Sequence, residues 1–258
     1  AGDANTLSQF AADMWKWISE NNIAADKSVA ATANTTTMDD LPAGYYLIFP
    51  AGAATLKDEH KSPAILQDVD GTNPVNVTLK SEYPTLKKEV KTTAEGTFGA
   101  AGTVKPGDTV TYTITSKVPD VSGYTKGYKF VIKDTLSNGL TFNASSVNVK
   151  INEKTLDATN YELKTGEAVA PNTFTLELNN MTTGTDPNKQ TPNLTLYPTG
   201  AAITLTYTAT VNEKAVTGID PNTNQAKVEY SNKPGEEGTG ESEEVVAKVY
   251  TFEFGIYK

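Results

Sequence analysis

The sequence predicts a mainly β protein, two antiparallel β-sandwich domains in a row with one short helix near the start. Three observations predict it. From residue 85 onward, apolar residues alternate with Thr and charged residues at a period of two, as in strands with one buried face. Clusters of Gly, Pro, Asn and Asp break this pattern at short intervals and mark turns. No helical pattern separates these strands, so they must pair antiparallel rather than through helical crossovers. The 258 residues suffice for one large or two ordinary domains with a sizeable core.

The elements follow in order. In "TLSQFAADMWKWISEN", 6 to 21, Leu7, Phe10, Ala11, Met14, Trp17 and Ile18 recur at helical spacing. Thr6 suits the N-cap, Asn21 and Asn22 suit the end, and the Trp and Met stripe is expected to face a core. Strands are expected at 28–35, 44–49, 64–69 and 75–81. Pro84 then interrupts and divides the chain into residues 1–82 and 83–258. In the second part, "TVTYTITSKV" puts Val110, Tyr112, Ile114 and Val118 on one face, with Thr109, Thr111, Thr113 and Thr115 opposite. "YKFVIKDTL" turns Tyr128, Phe130, Ile132 and Leu136 inward. "SSVNVKI", "FTLELNN", "AAITLTYTATV", "QAKVEYS" and "EVVAKVYTFEFGI" complete the set, and "PGEEGTGESEE" reads as a solvated acidic loop.

Composition excludes several functions. The chain has 22 basic and 31 acidic residues, a net charge of −9, and every basic residue is Lys. A nucleic-acid binder would show a basic face with Arg forks. There is no Cys, so disulfides, thiolate metal sites and Cys nucleophiles are absent together. No apolar run is long enough for a membrane helix. "AGDANTLSQF" has no signal-peptide pattern, so any export signal is expected to have been removed already.

Three polar residues fall on the wrong face. In "TLKKEVK", 85 to 91, Lys88 shares a face with Leu86 and Val90. Asp134 shares one with Tyr128, Phe130 and Ile132, and Asn224 one with Ala226, Val228 and Tyr230. Singly, each is explained by a frayed strand end or a one-residue register slip; three together carry more weight. A buried Lys is pushed toward its neutral, nucleophilic form and a buried carboxyl toward its protonated form. A neutral amine beside an Asn amide, with an acid donating to the amide oxygen, can form a Lys–Asn amide and release ammonia. The buried ammonium then disappears as an amide.

Residues 83 to 258 resemble the isopeptide-forming middle domain of Gram-positive sortase-assembled pilins, through "PTLKKEV", "KPGDTVTYTIT", "YKFVIKDTLSNGLTF", "NQAKVEYSN" and "VYTFEFGIYK". Residues 1 to 82 resemble the later part of the pilin N-terminal domain, through "LPAGYYLI" and "SPAILQDVDGTNPVNVTLK". The resemblance implies tandem Ig-like, Cna-type sandwiches, with Lys88 and Asn224 as the bonded pair and Asp134 as the catalytic acid. It implies a structural subunit of an extracellular, cell-wall-anchored pilus, joined to other subunits by sortase, and neither an enzyme nor a cofactor protein. Two departures stand out. Such pilins often carry a Tyr-Pro-Lys motif near this junction, whereas no Lys follows Tyr83–Pro84; Lys80, at a strand end, is the substitute candidate for linkage to a neighbour. Against that pattern, the first domain is expected to be incomplete at its start, without its opening strands. In "VYTFEFGIYK", Tyr250, Phe252, Phe254 and Ile256 share a face with Lys258. Residues 252–258 are therefore expected to lead into a further domain with Lys258 as its cross-linking lysine.

Other chemistry was weighed against these. "DVDGTN" places Asp68, Asp70 and Asn73 as in the start of a calcium loop, but the downstream bidentate Glu is missing, and an Asx turn explains it better. His60 is the only histidine, so a zinc site would need three carboxylates or waters beside it and little room is left for a triad; it is expected to be an exposed loop residue. A carboxylate-pair glycosidase has no residue pair that singles itself out. The alternative function is a surface adhesin binding host glycan or matrix protein, which would need exposed aromatics on a concave face. Tyr112, Tyr128, Tyr207 and Tyr230 all take inward parity, which favours the structural subunit.

Overall fold

The computed structural model describes residues 10, 11, 13, 14, 17, 18, 21–29, 36–49, 65–77, 83–233 and 237–252. Before residue 83, residues 10, 11, 13, 14, 17 and 18 are helical. β1 (Gly44–Ile48) and β2 (Ile65–Val69) form an antiparallel pair with Tyr46 opposite Gln67. The strand expected at 28–35 is absent from its described part, residues 28 and 29, and 75–77 are likewise not strand. Thr- and Asn-rich alternation favours extended chain, but a strand also needs a partner ladder, which alternation does not supply. The apolar stripe is also corrected: Ala11 is buried, yet Phe10 and Trp17 are 52% and 58% exposed. Helical spacing decides which residues share a face, not what lies against that face.

From residue 83 the chain forms a sandwich. One sheet contains β3 (Lys87–Lys91), β5 (Thr109–Lys117), β7 (Leu140–Ile151), β8 (Lys154–Thr155) and β13 (Ala202–Val211), in the spatial order β3-β5-β13-β7-β8. The other contains β4 (Ala101–Val104), β6 (Phe130–Leu136), β9 (Tyr161–Thr165), β10 (Phe174–Leu178), β14 (Asn222–Ser231) and β16 (Val245–Thr251), in the order β4-β16-β14-β6-β10-β9. β15 (Thr239–Glu241) adds to the side of β14, and β11 (Thr182–Thr183) with β12 (Thr191–Pro192) makes a small separate ladder. Pairing is antiparallel except where β16 runs parallel to β4.

The alternation read from sequence is the burial pattern observed. Along β14, inward residues from Asn222 to Tyr230 are buried and each intervening residue is half-buried. The core between the sheets includes Tyr112, Ile114, Phe130, Ile132, Phe174, Leu176, Leu205, Val228 and Val249. Such a dry layer between sheets ~10 Å apart makes any polar group inside it costly unless partnered. No helix among the described residues is long and apolar enough to cross a membrane.

The acidic loop is a further correction. Its residues 239–241 pair with β14 as β15, and Glu241 accepts hydrogen bonds from Lys133 and Lys227. The lysines on the outer face of β6 and β14 recruit acidic chain that composition alone assigns to solvent.

Candidate functional site

Each of the three wrong-face residues is delivered to one pocket by a different strand. Lys88 lies on β3, paired with Ile114 of β5. Asp134 on β6 lies opposite Ala226 of β14, and Asn224 of β14 lies opposite Leu136 of β6 and Ala247 of β16. Asp134 and Asn224 are therefore diagonal neighbours on the inner face of one sheet, within reach of each other. Lys88 comes from the facing sheet, and its long stem crosses the apolar gap. Of the residues directly opposite the polar pair, Ala226 and Ala247 are small, whereas Phe174 and Leu136 are large and pack around it.

Lys88 and Asp134 side chains are both 0% exposed. Lys88 Nζ is hydrogen-bonded to Asp134 Oδ2 and lies 2.8 Å from the Tyr207 hydroxyl. That hydroxyl donates to Asp134 Oδ2 at 2.8 Å and accepts from Asn224 Nδ2 at 2.8 Å. Lys88 Nζ also sits 5.5 Å and 5.4 Å from the ring centroids of Tyr112 and Tyr207. Phe142 and Phe174 close the box around Tyr207, with centroids 5.5 Å and 5.1 Å from its ring.

The electrostatics favour neutral partners. Burial pushes the Lys88 amine down, with the Asp134 charge opposing, and pushes the Asp134 carboxyl up, against the Lys88 charge. Both shifts point from an ion pair to an amine beside an acid. A neutral amine has two N–H donors and one lone pair. Lys88 directs its donors to Asp134 and Tyr207, leaving the lone pair for attack. Two acceptors in this pocket, Asp134 Oδ1 and Asn224 Oδ1, have no hydrogen-bond partner among the described residues. A buried orphan acceptor costs about 1–3 kcal/mol. A proton on Asp134 Oδ1 supplies a donor where both are missing, which is the arrangement needed to polarise the amide carbonyl.

The structure thus brings together Lys88, Asp134 and Asn224. Lys80, Lys258 and His60 lie outside the described residues. Sequence reasoning missed Tyr207 as a member of the site; its available signal was a hydroxyl carried inward between Leu205 and Ala209. Asp70 in "DVDGTN" is an Asx turn: its carboxylate accepts the Thr72 and Asn73 N–H groups at 2.7 and 2.8 Å, with Gly71 at φ 77°. Hydrogen bonds from the Asn73 side chain and then these amides hold its carboxyl well below the usual range. Among the described residues, no group of three His, Cys, Asp or Glu could hold a metal. Tyr112, Tyr128, Tyr207 and Tyr230 are buried, so none of them can line a glycan-binding face.

No family model matches the chain. In sequence it is 29% identical over 161 residues to the trypsin-resistant surface T6 protein of Streptococcus pyogenes serotype M6, covering 60% of this chain and 27% of that protein. In fold it is similar to the T6 backbone pilin of serotype M6 Streptococcus pyogenes, described as a modular three-domain structure decorated with variable loops and extensions. That match has a TM-score of 0.61 at 22% identity, covering 94% of this chain and 54% of that one. The major pilin GBS80 of Streptococcus agalactiae gives a TM-score of 0.48 at 22% identity, over 66% of this chain and 56% of that one. The T6 matches bear out the resemblance to Gram-positive pilins read from the sequence. The chain spans about a quarter of the T6 protein (27%) and about half of its solved chain (54%).

Proposed function

We propose, from this kinship with Gram-positive backbone pilins, that the chain is part of a structural subunit of a covalently assembled, extracellular pilus. In this reading Lys88 and Asn224 become joined by an amide that the protein makes itself, with Asp134 as the acid. The observation that carries it is the buried pocket in which the Lys88 amine, the Asp134 carboxyl and the Asn224 amide meet, burial pushing the amine down and the carboxyl up. The lone pair of Lys88 Nζ attacks Cγ of Asn224, while Asp134 protonates the carbonyl oxygen. The Cγ–Nδ2 bond then breaks as one Nζ proton is transferred to Nδ2, ammonia leaves, and the carbonyl proton returns to Asp134. The product cannot be opened by reduction, which suits a chain without Cys outside the cell.

Intact mass tests this directly. The wild-type protein should be lighter than its sequence by about 17 Da, one ammonia per amide formed by the nucleophilic lysine, and Asp134→Ala should restore the full mass. A full wild-type mass, or a deficit that survives Asp134→Ala, sinks the reading.

The same reading divides the chain at residues 82 and 83, anchors the pilus to the cell wall, and assigns the link to a neighbouring subunit, made by sortase, to Lys80. Lys80→Ala should then leave monomers where the wild-type gives a ladder of polymers. Polymerisation unchanged in that variant rejects the assignment. Lys258 would serve a following domain in the same way that Lys88 serves this one.

A further inference from the structure

Lys88, Asp134 and Asn224 share one neighbour. The buried Tyr207 hydroxyl has one proton to donate and two lone pairs, and all three are engaged: it donates to Asp134 and accepts from Lys88 and Asn224. The backbone aims it there. The pairing of β13 with β7 shifts at this residue, with Thr206 opposite Asn148 but Thr208 opposite Asn143. Ser146 holds the irregularity: its hydroxyl accepts the Thr208 N–H at 2.8 Å and donates to the Asn143 carbonyl at 2.6 Å. The extra residues lie on β7, so β13 keeps its alternation and Tyr207 its inward aim between Leu205 and Ala209. Tyr112, directly opposite Tyr207 across β5 and β13 and stacked on it at 5.6 Å, provides the contrast. It has the same ring in the same pocket, but its hydroxyl makes no well-formed hydrogen bond among the described residues, only a weaker approach to the Asn224 side chain, and touches neither Lys88 nor Asp134.

We propose that Tyr207 is a catalytic residue of the cross-linking reaction, its hydroxyl carrying a proton from the attacking Lys88 nitrogen to the departing Asn224 nitrogen. This rests on the reading that those two residues become joined. The attacking amine must lose a proton and the amide nitrogen must gain one to leave as ammonia. Asp134 Oδ2 already accepts from Lys88 and Tyr207, and the acid proton of Asp134 serves the carbonyl oxygen. Tyr207 touches both nitrogens. As the Nζ–Cγ bond forms, an Nζ proton passes to the Tyr207 oxygen. The proton of Tyr207, swung from Asp134 to Nδ2, passes to the leaving nitrogen. The Cγ–Nδ2 electron pair departs with that nitrogen, and Tyr207 and Asp134 end as they began. Burial and then the Asp134 charge hold the hydroxyl well above its ordinary range, so the phenol acts as a neutral relay.

The test follows intact mass over time after cell-free synthesis of the chain, for wild type, Tyr207→Phe and Tyr112→Phe. Tyr207→Phe keeps the ring that packs on Phe142 and Phe174. It should fold, with an unchanged circular dichroism spectrum, but lose ammonia about 100-fold more slowly, the lower range for a positioned proton-transfer group. Tyr112→Phe, which keeps the ring and loses a hydroxyl that does not touch Lys88, should slow the reaction far less than Tyr207→Phe. A Tyr207→Phe protein that loses ammonia at the wild-type rate overturns the relay and leaves the cross-link standing. A wild type that never loses ammonia overturns both. If Tyr207→Phe does not fold, 3-fluorotyrosine at position 207 preserves the shape and makes the hydroxyl more acidic. A changed rate then supports the relay, and an unchanged one overturns it.

Discussion

The two faces of β6 and β14 handle charge in opposite ways. On the outer face, Lys133 stands opposite Lys227 and Glu229 opposite Glu241, two like-charge pairs that would repel. Interleaving resolves them: Lys133 bonds Glu229 and Glu241 at 2.5 and 2.7 Å, Lys129 bonds Glu229 at 2.5 Å, and Lys227 bonds Glu241 at 2.5 Å. Partial solvent exposure and several counter-charges share the load, and the lysine bonds hold the Glu229 and Glu241 carboxyls below their ordinary range. On the inner face, one residue along from Lys133, Asp134 meets Lys88 with both side chains fully buried, and burial drives both toward neutrality. The same residue types make an adjustable surface network on one side and a reactive pair on the other. Solvent, not residue identity, decides which.

The largest break in this comparison comes from the inner face. The proposed amide closes a loop on the order of 140 residues, which the chain-entropy estimate values at roughly 5 kcal/mol. Losing it should lower the melting temperature by about 10–20 °C for a domain of this size. Asp134→Ala and Lys88→Met both lose the cross-link, yet they should differ. Lys88→Met leaves an apolar stem and a protonated Asp134 still bonded to Tyr207, whereas Asp134→Ala strands a buried amine without its acid. Asp134→Ala should therefore melt below Lys88→Met by a further ~1–3 kcal/mol, the cost of an unsatisfied buried polar group. Thermal denaturation of both, with trypsin digestion alongside, checks the order. If both melt with the wild type, the cross-link contributes no stability. If Lys88→Met is the weaker, burial is not what makes the amine costly.

What the sequence disclosed of this arrangement follows from the range of each signal. Parity is local, so Lys88, Asp134 and Asn224 could be assigned an inward direction from a few neighbours each. The main strands of the sandwich were legible for the same reason. Tyr207 was not legible as a participant. Its inward direction follows from the parity of β13, but its role depends on which inward residues lie across the gap, which no local pattern shows. β15 was missed because "TGE" carries a Gly and an acid, which read as loop, and becomes strand only through the lysines and edge of β14. The apolar stripe near the start failed in the other direction: helical spacing was right at Ala11, Met14 and Ile18, but spacing cannot say whether anything covers Phe10 or Trp17.

The smallest effect sharpens the outer half of the comparison. Glu241→Gln removes one carboxylate from the network, leaving Lys133 its partner Glu229 and Lys227 no acidic partner among the described residues. Because Glu241 is well exposed, solvent screening limits the loss to within about 1 kcal/mol, and salt should shrink it further. Its pH dependence has a definite sign. Hydrogen bonds from Lys133 and Lys227 hold the Glu241 carboxyl below its ordinary range. For Glu229, burial pulls upward but the bonds from Lys129 and Lys133 prevail. A carboxyl depressed in the folded state contributes fully above its unfolded value, and that contribution is lost as pH falls through the folded one. Melting curves of wild type and Glu241→Gln should therefore separate at neutral pH and converge in acid. The amide proposed on the inner face has no proton to gain or lose there, so the mass deficit and the gap to Lys88→Met should persist through the same range. A Glu241→Gln deficit that grows in acid or in high salt would mean that the outer cluster stabilises through packing rather than charge.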